Sequence, residues 1–168
     1  VLGKFLSDFS AEEIRDFSDK AYSTEKFDSS AVAPVHMLEE KLGVLELWHG
    51  PTSAFKDMAL QIMPRLFVRA LRKTGEEREA LILVATSGDT GKAALEGYKD
   101  IDRIKIMVFY PVDGVSKVQK LQMATQTGNN VNVCAIKGNF DDAQNGVKRI
   151  FSDAEAKKKL LEGGYVLS

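Results

Sequence analysis

The stretch Leu81-Ile82-Leu83-Val84-Ala85-Thr86-Ser87-Gly88-Asp89-Thr90-Gly91 is a continuous apolar run that passes directly into a glycine-containing loop. Short apolar runs without polar alternation are typical of parallel strands that are buried on both faces. Three later runs have the same character, at residues 104–110, 131–136 and 165–167. Helical spacing of apolar residues fills the segments between them, at residues 92–99, 115–127 and 140–161. This alternation predicts an α/β fold, with a small three-layer parallel sheet of about four strands and helices on both faces.

The chain before this sheet has a different pattern. Ser10 and Glu13 have the Ser-x-x-Glu form of a capping box, which predicts a helix over residues 11–24. Residues 32–38 and 44–48 favour either two short strands or a strand and a loop. Apolar residues at helical spacing predict one long helix from Met58 to Arg72, kinked at Pro64. The polar segment 73–79 is typical of a linker, so we expect residues 1–75 to be part of a second, larger lobe and residues 80–168 to form the small parallel α/β domain.

Composition limits the classes of function. The chain has 168 residues, of which 44% are hydrophobic and 28% are charged, as in ordinary soluble globular proteins. A net charge of -1 argues against nucleic acid or a membrane as a partner. The single cysteine fits a reducing compartment, so we expect a cytoplasmic protein, and the oligomeric state stays open. Because the chain starts without methionine and stops at an apolar run, we expect a fragment that is truncated at both ends.

The loop after the first apolar run of the sheet has the features of an anion site. Gly88 and Gly91 permit tight turns, while backbone N–H groups at a helix N-terminus and the hydroxyls of Ser87 and Thr90 can converge on a carboxylate or phosphate. The alternative is a well-capped turn that binds no ligand. The Walker A pattern is excluded by Thr86 and Ala93, and the Rossmann glycine spacing is absent as well.

A second segment, His49-Gly50-Pro51-Thr52-Ser53-Ala54-Phe55-Lys56-Asp57-Met58-Ala59-Leu60, places Lys56 in the first turn of a predicted helix. The positive end of a helix dipole disfavours a cation there, which favours the neutral amine that Schiff-base chemistry needs. The alternative is a snorkelling lysine that pairs with Asp57 or with a neighbouring residue. We predict a packed or hydrogen-bonded role for His49 rather than that of a base, and core positions for Trp48 and Phe55.

These two segments together resemble a known family. The His-Gly-Pro-Thr-x-Ala-Phe-Lys-Asp pattern is similar to the pyridoxal-phosphate lysine segment of threonine synthases, of the longer bacterial and fungal type. The loop 87–91 resembles the Ser-Gly-x-Thr-Gly loop of the tryptophan-synthase-β-like class, fold type II, of pyridoxal-phosphate enzymes. The resemblance covers roughly residues 40–168, and the lysine precedes the loop in the order that the family shows.

The resemblance implies a set of roles. Lys56 would be the catalytic lysine and would hold the cofactor, pyridoxal 5'-phosphate. Ser87, Gly88, Asp89 and Thr90 would bind the substrate carboxylate, Asp89 would also approach the cofactor, and no metal is implied. The implied activity is that of a carbon-oxygen lyase in threonine biosynthesis, which converts the small-molecule substrate O-phospho-L-homoserine and water to L-threonine and phosphate.

Two alternatives remain open at this point. The family's glycine-rich cup for the cofactor phosphate comes later than residue 168, so we expect this chain by itself to lack the activity. Another fold type II lyase, such as a threonine dehydratase or a phospholyase, would share the same two segments. A non-catalytic α/β fragment would share the fold but would not retain the cofactor.

Overall fold

The apolar run at residues 81–85 forms a central strand of the sheet. The computed structural model describes all 168 residues. Its strands are β1 Val35–Glu39, β2 Leu42–Leu45, β3 Glu79–Ala85, β4 Ile104–Pro111, β5 Val131–Ile136 and β6 Tyr165–Leu167. Its helices are α1 Ala11–Ala21, α2 Asp57–Leu60, α3 Met63–Lys73, α4 Asp89–Tyr98, α5 Lys117–Ala124, α6 Phe140–Ser152 and α7 Ala154–Glu162, and a single 3₁₀ turn spans Leu2–Lys4.

The main sheet has four strands in the order β5-β4-β3-β6. Every pairing in it is parallel, and in the central pair Val84 lies opposite Val108. The predicted parallel sheet and the positions of its four strands are therefore confirmed. The carboxyl ends of β3 and β4 lie side by side, so the loops that follow them meet at one edge of the sheet.

The core lies on the face of the sheet that α4 and α5 cover. Alternate residues of β4, including Ile106 and Val108, are fully buried against Leu95 of α4 and Met123 of α5. Burying each such side chain contributes about 1.5–3 kcal/mol to the free energy of folding. This packing fixes α4, and therefore the loop that precedes it, firmly against the sheet.

The opposite face of the sheet carries α6. Phe109 and Ile136 point to this side and line an apolar pocket together with Ala143, Val147 and Ile150 of the helix. Helices therefore cover both faces of the parallel sheet, which confirms the predicted three-layer arrangement.

The short helix α2 packs directly on α4. Leu60 belongs to the same core cluster as Leu95, and the carbonyl oxygen of Leu60 lies so close to Gly97 that a Cβ at that glycine would overlap it. Tyr22, just after α1, adds a second contact by donating its hydroxyl to the carbonyl of Met58 at 2.7 Å. Residues 57–60 are thus held against the small sheet.

Two predicted helices are each divided into two. The expected kinked helix over Met58–Arg72 is wrong, because the chain breaks at Gln61–Ile62 and Pro64 lies in the first turn of α3. A proline there sacrifices no hydrogen bond, since the first N–H groups of a helix have no internal partner. The expected helix over residues 140–161 ends at Ser152, because the Asp153 carboxylate accepts from the N–H groups of Glu155 and Ala156 and starts α7.

The N-terminal elements agree better with the sequence pattern. The Ser10–Glu13 capping box is present in both directions, at 3.1 Å and 2.8 Å, and α1 ends three residues earlier than expected. Strands β1 and β2 form an antiparallel hairpin, so the two-strand alternative is correct. The core positions predicted for Trp48 and Phe55 are wrong, because these side chains are 51% and 54% exposed. None of the helices is both long and apolar enough to cross a bilayer.

Candidate active site

Lys56 lies immediately before α2, at the end of a tightly closed loop. The Asp57 carboxylate is fully buried and accepts the N–H of Thr52 at 2.9 Å and the hydroxyl of Thr52 at 2.7 Å. A Cβ at Gly50 would lie 2.6 Å from the Asp57 side chain, so glycine is required where the loop begins. The loop is therefore closed by a carboxylate that points into the protein.

The Lys56 amine has no acidic partner. It forms no ion pair within 4.0 Å, and it lies 4.2 Å from the centroid of the Phe55 ring. Since the Asp57 carboxylate is committed to Thr52, the predicted alternative of a Lys56–Asp57 pair is wrong. The structure thus presents a half-buried primary amine that is free to react, beside an exposed aromatic ring.

The loop after β3 is organised by Thr86, a residue that the sequence analysis used only to exclude the Walker A pattern. Its buried hydroxyl oxygen accepts the N–H groups of Gly88 and Gly91, both at 2.9 Å. Gly88 has a φ of +139°, which side-chain-bearing residues rarely adopt. A Cβ at Gly91 would overlap the Thr86 methyl group. The two glycines therefore serve the fold of the loop itself.

The free backbone N–H groups of the loop belong to its residues other than the two glycines. The backbone N–H groups of Ser87, Asp89 and Thr90 donate to no acceptor in the chain, and the side chains of these three residues are exposed. The N–H groups of Gly88 and Gly91 are not available to a ligand, because both donate to Thr86. Free N–H groups at the start of α4 still form an anion-binding end of a helix.

The Asp89 carboxylate of the loop 87–90 interacts with charged and polar side chains around it, including Lys56 of the other loop. Its carboxylate accepts the side-chain amide of Gln119 at 3.0 Å and lies 3.2 Å from the ammonium of Lys92. The pKa of Asp89 is lowered, chiefly by the hydrogen bond from Gln119, then by Lys92, with a further contribution from the charge of Lys56. Lys56 thus lies near enough to the loop 87–90 for its charge to act on Asp89.

The sequence analysis missed Gln119 and Lys92 as neighbours of this site. Lys92 is 7% exposed although it carries a charge, and Asp89 is the carboxylate that it contacts. Gln119 stands three residues after Ser116 in the Ser-x-x-Gln form of a capping box, and this pattern was a signal for the start of α5. Its reach to Asp89 is a long-range contact that spacing along the chain does not reveal.

His49 opens the lysine loop. Its Nδ1 lies 2.5 Å from the Asp28 carboxylate and its Nε2 lies 2.6 Å from the Glu46 carboxylate. These hydrogen bonds, first that of Glu46 and then that of Asp28, raise the pKa of His49. The predicted hydrogen-bonded role is confirmed, and it ties the start of the loop to the segment after α1.

Known proteins are similar to the chain in both sequence and fold. Over 127 residues, or 76% of the chain, it is 50% identical to threonine synthase from Pseudomonas aeruginosa, and over 159 residues, or 91%, it is 44% identical to that from Schizosaccharomyces pombe. The chain is homologous to a segment of threonine synthase. A solved structure of the pyridoxal-phosphate-bound threonine synthase from Brucella melitensis covers 100% of the chain, with a TM-score of 0.87 and 38% identity. No protein-family model matches the chain.

The chain covers only part of the length of each threonine synthase that it matches. The chain spans 27% of the Pseudomonas protein, 30% of the Schizosaccharomyces protein and 35% of the Brucella chain. These matches confirm the resemblance inferred from residues 49–57 and 87–91. They align the chain with about a third of the length of a threonine synthase.

Proposed function

We propose that the chain is the lysine-bearing segment of a threonine synthase. The whole enzyme would convert O-phospho-L-homoserine and water to L-threonine and phosphate with pyridoxal 5'-phosphate as its cofactor. The observation that carries this proposal is the Lys56 amine, which has no counter-ion and lies in electrostatic range of a loop with free N–H groups. The identity with threonine synthases supports the reaction that we assign to this arrangement.

The residues fit the cofactor. A lysine that is to bind a carbonyl compound needs an uncommitted amine, and no carboxylate of the chain neutralises that of Lys56. The loop Gly50–Asp57 holds this lysine through buried hydrogen bonds rather than through its own side chain. Lys56 would therefore hold the cofactor covalently, and Asp89, which the Lys56 charge already influences, would lie beside it.

When bound, the cofactor supplies an electron sink for carbanions formed next to the substrate nitrogen. Lys56 Nζ would take a proton from one substrate carbon and return it to another, because it is the amine that the fold leaves free. Across the reaction, phosphate leaves the γ-carbon and the oxygen of water is added at the β-carbon.

The loop 87–90 would hold the substrate carboxylate. The free N–H groups of Asp89 and Thr90 lie at the positive end of α4, and the hydroxyls of Ser87 and Thr90 add two further donors. Gly88 would contribute the backbone turn that exposes these groups. Fixing the carboxylate orients the adjacent C–H bond relative to Lys56, which is the positioning that proton transfer requires.

The same proposal covers the organisation and location of the protein. Residues 1–75 would belong to a larger lobe and residues 80–168 to the small domain, with the substrate bound between the two loops. A cytoplasmic location is supported by the single, unpaired Cys134.

Covalent labelling tests the assignment of Lys56. The chain is incubated with pyridoxal phosphate and reduced with borohydride, and the adduct is mapped by peptide mass spectrometry. Near-stoichiometric labelling at Lys56, lost in Lys56→Arg and retained in the exposed-lysine control Lys117→Arg, supports the proposal. Labelling that shows no preference for Lys56 over exposed lysines, and that is unchanged in Lys56→Arg, contradicts this assignment.

A chimera tests the reaction itself. The aligned 127 residues of this chain replace their counterpart in the Pseudomonas aeruginosa threonine synthase, which supplies the remaining segments. We expect formation of threonine and phosphate in equal amounts from O-phospho-L-homoserine, and loss of both products in the Lys56→Ala chimera. A folded chimera that binds the cofactor but forms 2-oxobutyrate instead of threonine would favour a dehydratase.

A further inference from the structure

Gln119 of helix α5 both caps its own helix and contacts the loop that contains Asp89. Gln119 is the third residue of the helix, and its Oε1 accepts the N–H of Ser116 at 3.0 Å while its own N–H donates to the Ser116 hydroxyl at 3.2 Å. Because the oxygen of the side-chain amide is used in this cap, the nitrogen must point away from it. That nitrogen donates to Asp89 Oδ1 at 3.0 Å.

The amide of Gln119 also covers the loop beside Asp89. A Cβ at Gly88 would overlap the amide group of Gln119, so the side chain lies directly on the backbone of that glycine. Gln119 is the first cause of the lowered pKa of Asp89, ahead of the Lys92 ammonium. A single side chain thus contacts both the backbone and the carboxylate of the loop.

The next turn of α5 reaches the other loop. Gln122 lies three residues after Gln119, on the same side of the helix, and its amide nitrogen lies 3.4 Å from the carbonyl oxygen of Thr52. Thr52 is the residue that closes the Lys56 loop onto Asp57. Helix α5 therefore contacts the two loops that carry the proposed site.

We propose that Gln119 is a positioning residue, which holds Asp89 and the loop 86–90 in the orientation that faces Lys56. The inference rests on the proposed function, because the orientation of Asp89 relative to Lys56 matters only if the two loops bind the same ligand. Gln119 itself takes no part in proton transfer. It acts through Asp89, and α5 serves as the brace between the loops.

The capping box allows the two roles of Gln119 to be separated. In Gln119→Glu the new carboxylate still accepts the Ser116 N–H, since glutamate suits this cap position as well as glutamine does. The glutamate carboxylate cannot donate a hydrogen bond to Asp89. It also places a second negative charge next to the Asp89 carboxylate. Gln119→Ala removes both the cap and the contact with Asp89.

A matched control is available shortly after the same helix. Gln126, just beyond α5, donates its amide to the Glu96 carboxylate at 2.9 Å, away from the loop. Gln126→Glu therefore makes the same chemical change, with the same loss of a hydrogen bond to a carboxylate. It leaves the contact between Gln119 and Asp89 intact.

The measurements are made on the 168-residue chain. Carboxyl NMR titration follows the pKa of Asp89, and amide hydrogen exchange follows Gly88 and Gly91, the loop amides that donate to Thr86. In Gln119→Glu we expect the pKa of Asp89 to rise, because a donor is lost and a like charge is gained. Loop exchange should accelerate about tenfold, which corresponds to about 1.4 kcal/mol for one lost hydrogen bond. The rate of pyridoxal-phosphate labelling at Lys56 should fall in parallel, while Gln126→Glu behaves as the wild type.

If Gln119 serves only as a helix cap, the variants should give a different set of results. If Gln119→Glu matches the wild type in the pKa of Asp89 and in loop exchange, and only Gln119→Ala is disturbed, Gln119 is a helix cap and the proposal is overturned. Failure of the proposed function is distinguishable from this result. In that case the wild type is not labelled selectively at Lys56, while the Asp89 titration and loop exchange still respond to Gln119→Glu.

Discussion

The carboxylate of Asp57 and the residue Thr52 form a closed pair, in which one buried side chain accepts both the N–H and the hydroxyl of the other, at 2.9 Å and 2.7 Å. The pair closes a loop of six residues and leaves Lys56, the neighbour of Asp57, with its amine unpaired. The reactive lysine is thus positioned by its neighbour's side chain, and its own side chain is kept free for chemistry.

Asp57→Ala should destabilise the protein by about 2–4 kcal/mol, because it leaves two donors of Thr52 buried without an acceptor. Asp57→Asn should cost much less, since its carbonyl oxygen can accept the Thr52 N–H while its amino group donates to the hydroxyl. Urea unfolding measures both differences, with the exposed residue Asp113 as the site of the control Asp113→Ala. Equal stability of Asp57→Ala and the control would contradict the role of the pair.

Thr86 should have a similar role in the second loop. Thr86→Val keeps the shape of the side chain but leaves the N–H groups of Gly88 and Gly91 without an acceptor, at an expected cost of about 2–4 kcal/mol. Thr86→Ser retains the hydroxyl and should cost about 1 kcal/mol, through the lost methyl group. Hydrogen exchange at the two glycine amides measures the local effect, and unchanged protection in Thr86→Val would exclude the proposed hydrogen bonds.

The sheet and the two site loops could be predicted from the sequence, for a physical reason. The runs at 81–85 and 104–110 form the two central strands and have no exposed residue, so their apolar character is continuous and visible. The loops follow from the resemblance of residues 49–57 and 87–91 to threonine synthases.

Contacts between distant segments could not be predicted in this way. The amide of Gln119 meets Asp89 only after α4 and α5 have packed side by side, and nothing in the spacing of 30 residues indicates it. The breaks at Gln61–Ile62 and Asp153 were missed because apolar periodicity continues across both. Pro64 and Asp153 are local start signals, and in both places they outweighed the longer period.

Two glycines inside helices should respond to alanine in opposite directions. A Cβ at Gly97 of α4 overlaps the carbonyl of Leu60, so Gly97→Ala must displace α2 and should destabilise the protein by about 1–3 kcal/mol. At Gly146 of α6 an added Cβ meets nothing within 4 Å, so Gly146→Ala should stabilise by about 0.5–1 kcal/mol, through the higher helix propensity of alanine.

Thermal and urea unfolding compare the two variants directly. Because α2 follows Lys56, Gly97→Ala should also slow pyridoxal-phosphate labelling of that lysine, whereas Gly146→Ala should not. Equal effects of the two substitutions on stability would show that α2 does not pack on Gly97 as closely as the structure indicates.

His49 should make stability depend on pH. Its side chain is 16% exposed and lies between the Asp28 and Glu46 carboxylates, which raise its pKa above the ordinary value of 6.5. A group with a raised pKa in the folded state contributes its full stabilisation below the unfolded value, and the contribution is lost as pH rises through the folded value. The chain should therefore become less stable as pH rises from about 6 through the raised pKa of folded His49.

The variant His49→Gln should show a smaller loss of stability over this range, because the imidazolium and its two ion pairs are absent. His36→Gln, at an exposed residue of β1 that forms no ion pair, is the matched control and should follow the wild type. Urea unfolding at a series of pH values over this range measures the difference. A wild-type curve that stays parallel to that of His49→Gln would mean that the imidazole keeps the same charge in the folded and unfolded chain, and that the two carboxylates do not bind it as a cation.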